Sequence, residues 1–424
     1  MDRPAAIGPK RSPDRGAAEG TTTPSCRPEL LGMADDYARH ALSQRACFEA
    51  IHPAVMAAAE SLSAEPVLCV ADLGAADGVN SHGLIRDLVA QRSGRPLIYA
   101  LVDLPTNAWR VAAAHLRDAF GEAEDQGVVV VTPGQAESGP GIADTGAGAH
   151  YGSPEAHGKA CRRALDRDPP PAAVVSMAGI PLDHAPAFPR GTAHLSVSGT
   201  TMHWIADAAG LASSGSVFPG YPDHVDQDER RTWRVAAARQ WEQMLEMRSL
   251  ELAPGGWFIA AIPASPAPCP DRTGLYVEIV GDMNLLLADW RRAGRISGAT
   301  VDAAVVPVWS RTLGEFRAPF EAGAGSFAGL ELESIELFRV DNPYWHGDPG
   351  AFAHDYVQSV GAWGGPLLLR AFAREGEARA AGLFTAFLRE LEERVAEAPG
   401  RYRWDYVEAL VICRKASDVG SSRA

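Results

Sequence analysis

The stretch PVLCVADLGAADG at residues 66–78 decides the fold. Its first half is a short, β-rich apolar run that closes on Asp72. Its second half is a glycine turn running from Gly74 to Gly78. Glycine is wanted at such a turn because the backbone must reverse sharply and let a ligand approach without a Cβ in the way. Downstream, residues 82–91 show helical spacing, Leu97–Asp103 (LIYALVD) reads as a second strand ending on an acid, and residues 107–120 read as a helix. Strand, helix, strand, helix is the pattern of a parallel, doubly wound α/β sheet.

The turn also bears on the ligand. The helix that follows it points N–H groups at whatever occupies the crevice, and a carboxylate at Asp103 can accept both ribose hydroxyls of an adenosine. Dinucleotides use the same layout, so a nicotinamide oxidoreductase is the rival on fold grounds. Dinucleotide turns read GxGxxG, however, because a pyrophosphate needs the extra close approach. This turn lacks the middle glycine and adds Asp72 and Asp77. Acids suit a cofactor carrying a cationic sulfonium and an amino group better than one carrying a pyrophosphate. A plain strand-to-helix turn with no ligand is the bland alternative.

Working outward, residues 1–30 are rich in Pro, Gly, Thr and Arg and lack an apolar core segment, so they read as a disordered tail and not a secretory signal. Residues 35–62 predict a helix broken near Pro53. Val128–Val131 and 193–198 predict further strands, and 231–252 a helix leading into PGG and a strand at 257–262. Residues 133–171 are crowded with Gly, Ala and Pro and predict a flexible insertion. Residues 270–330 and 342–375 predict a helical cap over the site, with a long helix at 379–395 and closing strands at 332–340 and 406–413. The domain is expected to end near 415, leaving 416–424 as a tail.

With 424 residues, 46% hydrophobic and 22% charged, the chain is long enough for one large α/β domain with insertions. A net charge of −14 with no basic tract argues against a nucleic-acid surface. No run approaches the ~18–20 apolar residues of a membrane span. The six cysteines form no CxxC pair, and Cys69 and Cys413 sit in apolar runs as small hydrophobes, so the cytoplasm is the expected compartment and no metal is implied. A homodimer is left open.

Several segments, in order, resemble the salicylate, benzoate and jasmonate carboxyl methyltransferase family, known as SABATH. The family's opening Ser-Tyr-Ala-x-Asn-Ser-x-x-Gln helix is matched at Tyr37, Ala38 and Gln44. Its Asp-Leu-Gly-Cys-Ser-Ser-Gly-Pro-Asn-Thr resembles Asp72 through Ser81, and its Asn-Asp-Leu-Pro-x-Asn-Asp-Phe resembles Val102 through Trp109. Ser-Ser-Tyr-Ser-Leu-His-Trp-Leu is echoed by Ser198 through Ile205, and Arg-x-x-Glu-Leu-Val-Pro-Gly-Gly by Arg248 through Gly256. Weaker likenesses are Val306 through Trp309 and Val411 through Lys415. The resemblance spans about residues 34 to 415. It departs at Leu182 and Asp183, which replace a serine and a phenylalanine flanking the adenine, and at Thr200, which replaces a tyrosine.

The resemblance implies a Rossmann-like class I methyltransferase sheet with S-adenosyl-L-methionine (SAM) as cofactor. The implied cofactor residues are Tyr37, Asp72, Gly74, Gly78, Asn80, Asp103, Leu104 and Ser198. It gives Gln44 and Trp204 the substrate carboxylate and sets Thr200 and Trp309 against the acceptor. The expected reaction is carboxyl O-methylation of a small aromatic or apolar acid in secondary metabolism. A neutral donor such as an amide or an indole N–H orients an anion without quenching its nucleophilicity. His203 lines the pocket or faces elsewhere, and would act as a base if the acceptor were a phenol or amine. The alternatives are N-methylation of a heterocyclic amine and SAM binding without catalysis. Trp257, Trp290, Trp309, Trp345 and Trp363 read mostly as core, though Trp309 matches a family substrate-wall segment; Trp204 could be a core aromatic, and the acidic run 390–397 reads as a solvated helix face.

Overall fold

The computed structural model describes residues 37–120, 128–131, 154–208, 210–211, 215–219, 226–265, 277–321, 323–402 and 404–417. Six apolar strands run parallel at its centre: β1 (Leu68–Leu73), β2 (Leu97–Asp103), β3 (Val128–Val131), β4 (Ala173–Gly179), β5 (Ala193–Gly199) and β6 (Leu252–Pro263). Three more extend the sheet: β7 (Ser326–Phe327), β8 (Leu330–Asp341) and β9 (Trp404–Lys415). The order is β3-β4-β2-β1-β5-β6-β9-β8-β7, with β9 antiparallel between β6 and β8. Every residue of β4 and nearly every residue of β2 is buried, as a parallel sheet covered on both faces requires.

Side-chain alternation sorts the layers. Leu68 and Val70 of β1 face a cluster with α2 (Leu42–Ser61), α3 (His82–Arg92) and α4 (Trp109–Phe120). Ala71 and Leu73 face the opposite layer of α5 (Pro154–Leu165), α6 (Gln227–Glu251) and α9 (Leu313–Glu321). A third cluster holds the cap: α7 (Val277–Arg292), α8 (Gly298–Ala303), α10 (Pro349–Phe372) and α11 (Glu377–Glu397), joined by Tyr37 of the short helix α1 (Tyr37–His40). No helix of the described residues is long and apolar enough to cross a membrane.

Several expectations change. The break in the first helix falls at Ala41, and Pro53 lies inside α2. The Tyr344 hydroxyl stitches that break, donating to the His40 carbonyl and accepting from Leu42 N at 3.0 Å. The expected flexible insertion 133–171 contains α5, whose Cys161 is fully buried and whose His157 lies 2.8 Å from Ser176 Oγ. Residues 133–153 fall outside the described residues. The Gly/Ala/Pro-rich composition concealed both α5 and β4. Within the stretch expected to form the cap, α9 instead packs Phe316 and Phe320 against the sheet layer, while α11 joins the cap. Trp345 is 41% exposed, not core. The 390–397 face is not merely solvated: Glu390 accepts from Trp290 Nε1 at 2.7 Å and pairs with Arg295.

Candidate active site

One large pocket opens where the C-terminal ends of β1, β2, β4 and β5 meet the cap. Between β1 and β5 the strand order reverses direction, the place where open α/β sheets bind ligands. The pocket holds about 1270 Å³, mouth included.

The end beside the glycine turn is built largely from backbone. Gly74 has φ +79°, and a Cβ there would come within 2.4 Å of three Thr201 side-chain atoms, so the turn and the 200–204 segment can touch only through glycine. Gly74 N donates to the Val102 carbonyl at 2.7 Å, locking the turn to the end of β2. The Asp103 carboxylate accepts from Ala76 N and Leu104 N, each at 2.7 Å, and burial raises its pKa. Asp72 is buried and takes both Ser81 Oγ (2.5 Å) and Tyr99 Oη (2.8 Å) on one oxygen. Burial pushes its pKa up to about 6, the two hydroxyls opposing that rise. Tyr37, Asn80 and Leu104 line the same end.

Two cofactor residues expected from the resemblance do not face this space. Ser198 is fully buried, and its hydroxyl donates to the Leu73 carbonyl at 2.9 Å, spending its polarity on joining β5 to β1. Gly78 also sits outside the lining. A Cβ there would meet Leu101 at 2.7 Å, so its φ of +77° and its lack of a side chain serve packing. Pro181, Leu182 and Asp183 do line the pocket, from the loop after β4. That loop is pinned by a fully buried pair, Arg248 Nε to Glu251 Oε1 at 2.6 Å. Arg248 also donates to the Leu182 carbonyl, and Glu251 accepts from Ala187 N and Ser196 Oγ.

The opposite end is assembled from distant side chains. Gln44 and Phe48 come from α2, Gln240 and Met244 from α6, Trp363 from α10, Tyr406 from β9, with Phe218, Val306 and Val308 between. Gln44 Nε2 donates to Tyr406 Oη at 2.8 Å, while its buried Oε1 has no hydrogen-bond partner among the described residues. Exchanging the two ends of the amide would turn an N–H into that position, with the Tyr406 hydroxyl donating to the oxygen instead. Thr200 has φ +60°, a left-handed geometry rare outside glycine, and its amide donates to the Ala261 carbonyl at 2.9 Å.

The turn that follows is clamped at each residue. The Met202 carbonyl accepts from Arg311 (2.9 Å), the His203 carbonyl from Trp309 N (2.8 Å) and the Trp204 carbonyl from Gln240 Nε2 (2.6 Å). Ile205 N donates to the Pro307 carbonyl at 2.7 Å. His203 and Trp204 both line the pocket. Burial, with the Arg311 charge second, lowers the His203 imidazole to about 3. Trp309 does not line it: the ring is buried with Ile205, Ala208, Trp233 and Ala237. Its neighbours Val306 and Val308 take that place, because side chains alternate along the extended segment.

Tyr406, Trp363, Phe218, Gln240 and Met244 were not anticipated. Trp363 sits on a helix whose spacing reads as core, and nothing local marks Tyr406 on β9 as a pocket residue.

A scan of protein-family models finds no match to this chain, and a search of curated proteins finds none. Among solved structures the chain is similar to a loganic acid methyltransferase with SAH, at 14% identity and TM-score 0.64, over 92% of this chain and 99% of that one. Far weaker overlaps are with the cyclopropane synthase MmaA2 from Mycobacterium tuberculosis (10% identity, TM-score 0.35, 83% and 79% covered) and a geranyl diphosphate C-methyltransferase from Streptomyces coelicolor (9%, 0.31, 83% and 72%). Those two carry no argument. At such identity the first likeness speaks to architecture alone: the fold is a Rossmann-like, doubly wound α/β sheet under a helical cap, similar to that of the methyltransferase structure.

Proposed function

We propose that the chain is a SAM-dependent carboxyl O-methyltransferase that converts a small aromatic or apolar carboxylic acid to its methyl ester. The residues of the glycine-turn end fit the cofactor: Asp72 and Asp103 bring carboxylates to a buried turn that offers no cluster of free N–H groups for a pyrophosphate. Asp103 would hold the ribose, and Asp72 with Tyr37 and Asn80 would face the amino-acid part. When bound, SAM supplies a methyl group on a cationic sulfur.

The observation that carries the carboxylate reading is the state of His203. It is the histidine lining the pocket, and burial leaves it neutral with a pKa of about 3. So weak a base is a poor proton acceptor from a phenol or an ammonium. A carboxylic acid of pKa ~4 is already ionised at pH 7 and needs only to be held in line. Gln44 and Trp204 would orient that anion as neutral donors, while Phe218, Val306, Val308 and Trp363 exclude water from its apolar body. Positioning of this kind can supply about 7–11 kcal/mol of a barrier.

The test is to incubate the protein with SAM carrying a labelled methyl group and a panel of carboxylic acids and heterocyclic amines, and to identify products by mass spectrometry. A labelled methyl ester is the expected product. Label found only on nitrogen would overturn the carboxyl assignment, and SAH binding without any transfer would make this a binding protein.

A further inference from the structure

Arg311 lies between α8 and α9, and its backbone is bridged to Ala264 at the end of β6. Its side chain is 1% exposed and reaches beneath the acceptor end of the pocket. There it donates to three neutral oxygens: the Met202 carbonyl at 2.9 Å, the Ala237 carbonyl at 2.8 Å and Gln240 Oε1 at 3.4 Å. Buried arginines are ordinarily paired with a carboxylate, because an uncompensated charge in a protein interior is costly. Among the described residues none pairs with this one. Glu315, the acid closest to it in electrostatic effect, is committed elsewhere, 3.2 Å from Arg234 and bonded to Thr312 N at 2.8 Å.

We propose that Arg311 is a specificity-determining positioning residue, whose buried charge, resting over the Trp241 ring and paired with no carboxylate among the described residues, biases the acceptor end toward an anion and whose fork holds the His203–Trp204 turn in place. The proposal rests on the carboxylate reading above. The guanidinium never touches the acceptor; it acts through Met202 and Gln240, whose amide in turn holds the Trp204 carbonyl. Burial lowers its pKa only to about 10, so it is fully charged at neutral pH. The same charge helps keep His203 neutral. A carboxylate held at Gln44 and Trp204 would add a negative charge near the guanidinium beyond the field of Glu315, whereas the isosteric carboxamide would not. Acting across one layer of side chains in a medium of effective dielectric ~20, that difference is roughly tenfold or more in affinity.

The experiment is calorimetry on the full chain saturated with SAH, using benzoate against benzamide and a short panel of apolar acids against their amides. The natural protein should bind each acid more tightly than its amide. Arg311→Met should lower acid affinity roughly tenfold while leaving amide and SAH affinity nearly unchanged, so the acid-to-amide ratio collapses. An equal fall for acid and amide would reveal a purely structural arginine and overturn the proposal. Arg311→Lys, which keeps the charge and loses the fork, should retain the preference; its loss in a variant that melts cooperatively and binds SAH also overturns it, and this variant decides if the methionine variant does not fold. A natural protein with no preference for any acid over its amide would instead sink the carboxylate reading itself.

Discussion

The two ends of the pocket are built by opposite means. The glycine-turn end is made by consecutive residues at strand ends: Asp72 through Ala76 follow β1, and Asp103 and Leu104 close β2. Its polar groups already bond to one another through the backbone. The acceptor end joins α2, α6, α10, β9 and two loops, and its apolar wall comes from the cap. A site of the first kind is set by a local turn and keeps its shape when the far wall changes. A site of the second kind exists only once every contributing element has docked, so its chemistry can shift with single side chains while the fold persists.

The largest expected effect that would test this division is on the cofactor side. Asp103→Ala should weaken SAH binding by about 1.5–3 kcal/mol, the range for hydrogen bonds to a charged group. Acceptor-side affinity for an acid should change far less. Calorimetry showing SAH affinity unchanged in a cooperatively melting variant would remove Asp103 from the cofactor site.

On the acceptor side, Gln44→Ala and Trp204→Phe should each lower kcat/KM for the acid roughly tenfold, about 1.5 kcal/mol and the low end of the same range, with SAH affinity nearly unchanged. The double variant should lose less than the sum, because two residues sharing one ligand are coupled. With SAM saturating, the rate should stay nearly flat from about pH 7 to 8, above the Asp72 titration, since a His203 of pKa about 3 does not titrate there and neither does an acceptor carboxylate. A steep loss as pH falls across that window, with both variants fully active, would point to an amine.

The last effect concerns stability instead of binding. Asp72 keeps its proton to about pH 6 in the folded chain against an ordinary 3.8, so the folded state binds more protons between those values. Stability from this group is therefore greatest below about pH 4, falls as pH rises toward 6, and levels off above it. Asp72→Asn should flatten that slope in denaturant titrations at pH 4, 5, 6 and 7. A slope that survives the substitution would place the titrating group elsewhere.

The contrast also explains what was legible. Short β-rich apolar runs, a turn that needs glycine and an acid at each strand end are properties of neighbouring residues, and they marked β1, β2 and the two carboxylates directly. Ser198 and Gly78 were implied by the resemblance instead, and a residue beside a site can be spent on packing, which only the neighbours across the sheet, Leu73 and Leu101, reveal. The same local logic missed β4 and α5, whose small-residue composition hides a fully buried strand behind a loop-like sequence.

Local pattern by itself determined the parallel sheet, the crevice beside β1 and the acidic character of its cofactor end, because those follow from backbone geometry and residues a few positions apart. Only the tertiary structure decided the acceptor end. Gln44 meets Tyr406 across 362 positions, and Arg311 reaches Met202 across 109. No periodicity encodes such pairs. They arise when helix, sheet and cap bury their apolar faces together, and the burial that brings them into contact also leaves His203 neutral and Arg311 unpaired with any carboxylate among the described residues.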